Sequence, residues 1–235
     1  MKKLFLVPTP ISDDLSSTSM QVIDVIKKNS TFICERVRTS RRFIKSIIKD
    51  FDIDSSIFIE IEKRRSVHEN EEVKRSLKNG GDICFMSEAG NPCIADPGTE
   101  LVVLARKQGY QVIPLSGPSS IMMALMSSGL NGQQFTFRGY LPVKKDGLKK
   151  ELALIEKTIF KFGYSQIFIE TPYRNLQLFD QILEYVNDSL KLHVAYNIQS
   201  SEEYLETRTI KEWKKDDPIR QRLSIKAPCI FVLGK

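Results

Sequence analysis

Three runs of this chain carry residue types that hold a small ligand through backbone groups and short side chains. Pro8-Thr9-Pro10 contains two prolines, which fix φ and remove backbone donors, so the run is stiff and presents carbonyls rather than a ring of N–H groups. It is not a phosphate cradle. The run from Ser87 to Gly98, SEAGNPCIADPG, places Gly90 and Gly98, where backbone can approach a ligand closely, near the carboxylates Glu88 and Asp96. That combination suits a cationic or hydroxyl-bearing ligand. Pro114 to Ser120, PLSGPSS, puts small hydroxyl residues at the opening of a helix, whose unpaired N–H groups can meet a carboxylate. Other chemistries lack their residues. Neither G-x-G-x-x-G nor G-x-x-x-x-G-K-[ST] occurs, which disfavours dinucleotide oxidoreductases and P-loop enzymes. A Ser/His/Asp hydrolase needs a histidine near Ser116 or Ser119, but His68 sits in a charged segment and His193 inside a strand pattern, so both read as structural.

The elements that position these runs follow from periodicity. Short apolar runs at Lys3–Val7, Thr31–Glu35, Ile57–Ile61, Asp82–Met86 and Gln111–Leu115 alternate with helical patterns at Ser19–Lys28, Ser40–Asp50, Glu69–Asn79 and Thr99–Gln108. This order predicts a largely parallel five-stranded sheet with crossover helices. In such a sheet ligands bind beyond the carboxyl ends of the strands, where the three runs fall. Downstream, Phe135–Tyr140, Ser165–Glu170, Lys191–Tyr196, Tyr204–Thr209 and Cys229–Leu233 read as strands, and Lys144–Phe162 and Arg174–Val186 as helices. Consecutive strands with little between them predict a mixed sheet. The expected organisation is two α/β domains, residues 1–116 and 117–235. Gln108 to Phe137 contains no charged residue, yet Gly117, Pro118, Gly129 and Gly132 interrupt it too often for a transmembrane helix, so the stretch is expected at an internal interface.

Composition bounds the partners. The 235 residues, 41% hydrophobic and 27% charged, can bury a core without disulfides or metals. Lysine and arginine total 35 against 29 acidic residues, a net charge of +6 that favours a polyanionic partner. Cys34, Cys84, Cys93 and Cys229 are scattered, form no C-x-x-C pair and lie mostly in apolar runs, so they read as reduced core residues and no metal is expected. Met1-Lys2-Lys3 leads only into Leu4–Val7 before Pro8, too short for a signal h-region or a membrane span, and the expected location is cytoplasmic.

Taken together, VPTPI at Val7–Ile11, SEAGNPCIADPG at Ser87–Gly98, PLSGPSS at Pro114–Ser120, FRGYLP at Phe137–Pro142 and ETPYR at Glu170–Arg174 resemble the ordered motifs of the tetrapyrrole methylase superfamily. They look most like its ribosomal RNA small-subunit methyltransferase I branch, which methylates a cytidine ribose 2′-hydroxyl in 16S RNA. The resemblance spans nearly the whole chain. It implies S-adenosyl-L-methionine as cofactor, held in a cleft between the two domains, and a homodimer. Carried over by position, it assigns Pro10 to the wall of the cleft. Ser87, Glu88, Ala89, Gly90 and Ile94 go to the methionine and ribose part, Ser119 and Ser120 to the methionine end, and Ala227 and Pro228 to adenine.

The departures concern the acceptor. Ser12-Asp13-Asp14 replaces the branch's Gly-Asn after VPTPI, Glu35-Arg36-Val37-Arg38 stands for Glu-Asp-Thr-Arg, and Tyr196-Asn197-Ile198-Gln199-Ser200 for Arg-Glu-Leu-Thr-Lys. Glu88 replaces an aspartate and Tyr173 a histidine. A ribose hydroxyl is a poor nucleophile at neutral pH and is helped by a base. Glu35 is the candidate, with Arg38 orienting it or binding phosphate; the competing reading of Glu35 is a surface ion pair with Arg38 or a nearby lysine. Arg36, Arg38, Arg41, Arg42, Lys45 and Lys49 form one basic cluster, and Lys144, Lys145, Lys149 and Lys150 a second, both suited to RNA. The competing functions are a small-molecule methylase of the tetrapyrrole type and a noncatalytic homologue that binds RNA or cofactor.

Overall fold

Five short runs rich in β-branched and aromatic residues become the parallel strands β1 (Lys3–Val7), β2 (Thr31–Cys34), β3 (Ile57–Glu60), β4 (Ile83–Met86) and β5 (Gln111–Pro114). In the computed structural model, which describes residues 1–61 and 66–235, they form one sheet in the order β3-β2-β4-β1-β5. Between them lie α1 (Met20–Lys27), α2 (Val37–Ile47), α3 (Glu71–Asn79) and α4 (Thr99–Lys107). The chain steps in one direction along the sheet from β1 to β3 and then back. Because parallel crossovers are right-handed, the first two helices must cover one face and the last two the other. The cores agree. Val22, Ile26, Phe43 and Ile44 pack with Val7, Phe32, Cys34 and Met86 on one side, and Val73, Leu77, Leu101 and Ala105 with Leu4, Ile33 and Phe85 on the other. The loops leaving β1 and β4 therefore depart toward opposite faces, the geometry that opens a crevice beyond the carboxyl ends of an open α/β sheet.

Local chemistry sets the helix ends. The Ser19 hydroxyl accepts from the Val22 N–H and the Asn70 side chain from those of Glu72 and Val73, each satisfying orphan donors of a first turn. α2 begins at Val37, three residues before the expected Ser40, so Arg38 lies in its first turn. The Val37 N–H donates to Glu60 Oε2 at 2.9 Å, a cap supplied by the neighbouring strand.

The chain divides into two units, Met1–Ser119 and Ser120–Lys235. The second contains α5 (Ser120–Ser128), β6 (Phe135–Tyr140), α6 (Lys145–Phe162), β7 (Ser165–Ile169), α7 (Asn175–Tyr185), β8 (Lys191–Tyr196), β9 (Tyr204–Thr209), α8 (Ile210–Lys215), α9 (Arg220–Leu223) and β10 (Cys229–Gly234). Its sheet runs β6-β7-β10-β8-β9, with β6 and β7 parallel and the remaining pairs antiparallel. Leu152, Ile155, Phe179, Ile182 and Trp213 pack on Phe168, Leu192, Val194 and Phe231 on one face. α5 covers β8, β9 and β10. The uncharged stretch is thus only partly interior. Ile121, Ala124 and Leu125 are buried on α5, while Met126 is 82% exposed and 131–135 are exposed, because one helix face suffices to cover the sheet.

The four cysteines are free thiols, with Cys34, Cys84 and Cys229 buried. Burial pushes Cys34 up to about 12 and holds the other two up as well, so all three are inert packing residues. Among the described residues no group of three or more His, Cys, Asp or Glu side chains could hold a metal ion, and no helix is long and apolar enough to cross a membrane.

Candidate functional site

The loops after β1, β4 and β5, predicted separately, are locked to one another in the first unit. Thr9 and Gly90 exchange backbone hydrogen bonds, each 3.0 Å, although neither belongs to a strand. The Thr9 hydroxyl donates to the Ser87 carbonyl at 3.3 Å and the Ser87 hydroxyl to the Gly90 carbonyl at 2.8 Å. Gly117 lies so close to Pro8 that a β-carbon there would sit 2.2 Å from Pro8 Cβ, and Asn91 Nδ2 reaches the Gly117 carbonyl at 3.5 Å. These ties join β4, β1 and β5 at their carboxyl ends, since the three strands are neighbours in the sheet.

The Ser87–Gly98 loop is held in conformations that L-residues rarely adopt. Gly90, Cys93, Ala95 and Gly98 have φ of 76°, 69°, 60° and 129°. Gly98 is obligatory, because a β-carbon would lie 2.3 Å from the Phe85 ring. Glycine takes such angles freely, but Cys93 and Ala95 do not, so these two store backbone strain, which persists where the surroundings over-determine it and clusters at ligand sites. The result is a rigid loop that presents Glu88, Ala89 and Ile94 while burying Ser87 and Gly90.

Charge is arranged around this loop. Glu88 pairs with Arg36 Nε at 3.4 Å, bridging the β4 loop to the exit of β2. Glu35, at that same exit, is 3% exposed, so it lies in the interior rather than at the surface; its N–H donates to the Met86 carbonyl at 3.2 Å. Burial pushes the Cys93 thiol up to about 11, with the Asp96 and Glu35 carboxylates adding to the shift, which places the Glu35 charge within electrostatic reach of the loop. Arg38 is exposed on α2, so it and Glu35 differ sharply in solvent access.

The remaining residues singled out by sequence fall as follows. Pro10 is half-buried beside the Thr9–Gly90 bridge, Ser119 ends the first unit and Ser120 opens α5. Ala227 and Pro228 lead into β10 in the second unit, where the fully buried Asn175 donates to the Ala227 carbonyl at 2.9 Å and the Asn197 N–H to the Pro228 carbonyl at 2.8 Å. Sequence reasoning did not single out Thr9, Asn91 or Gly117 as the residues that bind the loops together. Gly117, between Ser116 and Pro118, looked like ordinary loop punctuation, and only the approach of Pro8 shows why it is glycine.

The family profile described as Tetrapyrrole (Corrin/Porphyrin) Methylases matches residues 3–214. This chain belongs to that family. As a tetrapyrrole methylase it is an S-adenosylmethionine-dependent methyltransferase. It is 31% identical over 236 residues to the Ribosomal RNA small subunit methyltransferase I of Bacillus subtilis (strain 168), covering 98% of this chain and 75% of that one. To the protein of the same name from Buchnera aphidicola subsp. Schizaphis graminum (strain Sg) it is 28% identical over 222 residues, 93% of this chain and 74% of that one. The crystal structure of the methyltransferase CobJ matches with a TM-score of 0.65 at 10% identity, covering 100% of this chain and 95% of that one. A cobalt precorrin-4 methyltransferase, CbiF, matches at 0.61 and 12%, covering 99% and 94%. At those identities the solved structures establish the methylase fold of two α/β domains, with a parallel N-terminal and a mixed C-terminal sheet.

The loop cluster of this methylase fits a zwitterionic adenosyl sulfonium. Glu88 offers a partly exposed carboxylate to a cation, Ile94, 52% exposed, offers an aliphatic surface to the apolar body, and Gly90 permits close backbone approach.

Proposed function

We propose that this chain methylates small-subunit ribosomal RNA, at a ribose 2′-hydroxyl of a 16S cytidine. The observation that supports the reading best is the locked cluster of loops at the carboxyl ends of β4, β1 and β5, joined through Glu88 and Arg36 to the start of a basic helix. The relatives' name supplies small-subunit ribosomal RNA as the substrate, and the motif resemblance the cytidine 2′-hydroxyl. Arg38, Arg42 and Lys45 project to solvent from α2, and Lys49 follows it; a basic face of this kind suits a phosphate backbone better than a corrin ring.

In this reading Pro10, Ser87, Glu88, Ala89, Gly90, Ile94 and Ser119 hold the cofactor. When bound, the cofactor supplies an electrophilic methyl on a sulfonium whose leaving group is a neutral thioether, so the chain needs no acid at the leaving atom. The work left to the residues is alignment, exclusion of water and removal of one proton from the acceptor hydroxyl. Glu35 takes that proton on its carboxylate, and Arg38 binds phosphate. A homodimer and a cytoplasmic location belong to the same reading, the latter following from a ribosomal substrate.

The test is a calorimetric titration with S-adenosylmethionine followed by labelled methyl transfer to unmodified small ribosomal subunits and, separately, to precorrin acceptors. Cofactor binding with label in the ribosomal RNA is expected. Label in the precorrin alone reassigns the substrate to small molecules, and binding without transfer to either makes the chain a noncatalytic homologue.

A further inference from the structure

The loop between β7 and α7 holds an aromatic ring in solvent on a rigid support. Tyr173 is 75% exposed, and Lys226 Nζ lies 4.5 Å from its ring centroid. Ile225, the residue before that lysine, is 59% exposed. The support comes from two sides. Arg174 Nε and Nη2 donate to Glu170 Oε1 at 3.1 and 2.6 Å, and the Thr171 N–H meets the same oxygen at 2.5 Å, which fixes the loop. The next residue, Asn175, is fully buried and bonds the Ala227 carbonyl at 2.9 Å, which ties this loop to the segment carrying Lys226. A ring left in water contributes little to folding, since the stabilisation of an aromatic side chain comes from its buried area.

The charges nearby leave the lysine available. Glu170, the carboxylate of the same loop, is committed to Arg174. Among the described residues Lys226 makes no ion pair. An exposed ring with an exposed ammonium over it that makes no ion pair matches what one nucleotide of a single strand offers, a flat base and a phosphate. An acidic peptide would use the lysine and leave the ring idle.

We infer that Tyr173 and Lys226 form a base-stacking platform for single-stranded RNA. A base stacks on the tyrosine ring while Lys226 neutralises an adjoining phosphate. The inference rests on the RNA methyltransferase reading and adds a binding subsite in the second unit, at the position where the resembling branch carries histidine in place of Tyr173.

Fluorescence anisotropy with a labelled short oligocytidine, and with an abasic strand of the same length, separates stacking from charge and from folding. Tyr173→Ala is expected to weaken oligocytidine binding about tenfold and to leave the abasic strand unaffected. Tyr173→Phe should match the parent on both, and Lys226→Gln should weaken both. The platform is overturned if Tyr173→Ala binds oligocytidine like the parent, if it loses the abasic strand equally, or if the parent binds neither strand. Labelled transfer to small ribosomal subunits keeps the two readings apart. Transfer with no effect of Tyr173→Ala on either strand removes the platform alone, and ring-dependent oligocytidine binding without transfer removes the methyltransferase assignment to RNA alone.

Discussion

Gly117 and Pro8 are in contact so close that the β-carbon of an alanine at 117 would fall 2.2 Å from Pro8 Cβ and 2.3 Å from its Cγ. A proline ring cannot swing aside, so Gly117→Ala must displace one of two loops that are also tied to the Gly90 loop. The expected cost is about 1–3 kcal/mol of stability, in line with overpacking of a filled site. A displacement of about 1 Å at a reacting centre lowers turnover by about a hundredfold, so activity should fall further than stability accounts for. Urea unfolding beside cofactor titration and steady-state methyl transfer checks both. A variant with lowered stability but parental cofactor affinity and turnover would show that the loop lock supports only the fold.

Glu35 gives a second prediction. Glu35→Gln preserves shape and removes the proton acceptor, so turnover should drop by about a hundredfold or more while cofactor affinity stays within experimental error. Arg38→Gln, on the exposed face of α2, should raise the Michaelis constant for RNA and spare turnover at saturating RNA. If Glu35→Gln turns over like the parent at saturating cofactor, its buried carboxylate serves packing or charge balance around the Cys93 loop instead.

Elements whose signal is local were readable in the chain. Phe135–Tyr140, Lys191–Tyr196 and Tyr204–Thr209 begin and end in the structure where alternation and flanking residues place them. Elements decided by distant partners were not. α2 starts early because Glu60, from the next strand, caps Val37. The short α8 depends on the Thr209–Glu212 capping box and on burial of Trp213, whose indole N–H donates to the Leu192 carbonyl at 2.9 Å, and no apolar period marks a helix that short. The site divides the same way. Glycine and proline made its loops visible, but Thr9, Asn91 and Gly117 act through residues far away in sequence. The burial of Glu35 also follows from tertiary packing, since a carboxylate flanked by Arg36 and Arg38 has the local look of a surface group.

The basic face of α2 yields a prediction about salt. Arg41 is held by Asp54 at 3.1 Å and lies over the Phe58 ring at 5.5 Å, and Arg36 is held by Glu88, whereas Arg38 and Arg42 are exposed one turn apart. Each of the latter that contacts a phosphate releases counterions on binding. Replacing both with glutamine should therefore weaken RNA affinity at low salt and reduce the slope of log affinity against log salt by about 0.7–0.9 per residue lost. Arg41→Gln should change the slope less. Filter binding to small-subunit RNA across a salt series measures this, and an unchanged slope in the double variant would move the RNA contact off this helix.

His193 makes a prediction about acid stability. It is fully buried on β8, with Nδ1 2.9 Å from Thr207 Oγ1 and Nε2 3.0 Å from Ser127 Oγ. The Thr207 hydroxyl spends its proton on the Ser128 carbonyl at 2.8 Å, so a neutral ring donates from Nδ1, and its Nε2 faces the Ser127 hydroxyl, which also reaches the Met123 carbonyl at 2.9 Å. Burial drives the ring down to about 4 from an ordinary 6.5. The unfolded chain therefore takes up a proton near pH 6.5 that the folded chain refuses until about pH 4, and the difference destabilises the fold as pH falls between those values. Integrated over that window, the loss is about 3 kcal/mol, with no further change from this group below it. Carboxylates titrate in the same range, so the informative quantity is the parent's stability minus that of His193→Gln, measured by urea unfolding from pH 7 to pH 4. That difference should shrink as pH falls, because glutamine can replace the hydrogen bonds but binds no proton. A difference independent of pH would mean that the buried ring is protonated alike in the folded and unfolded chains.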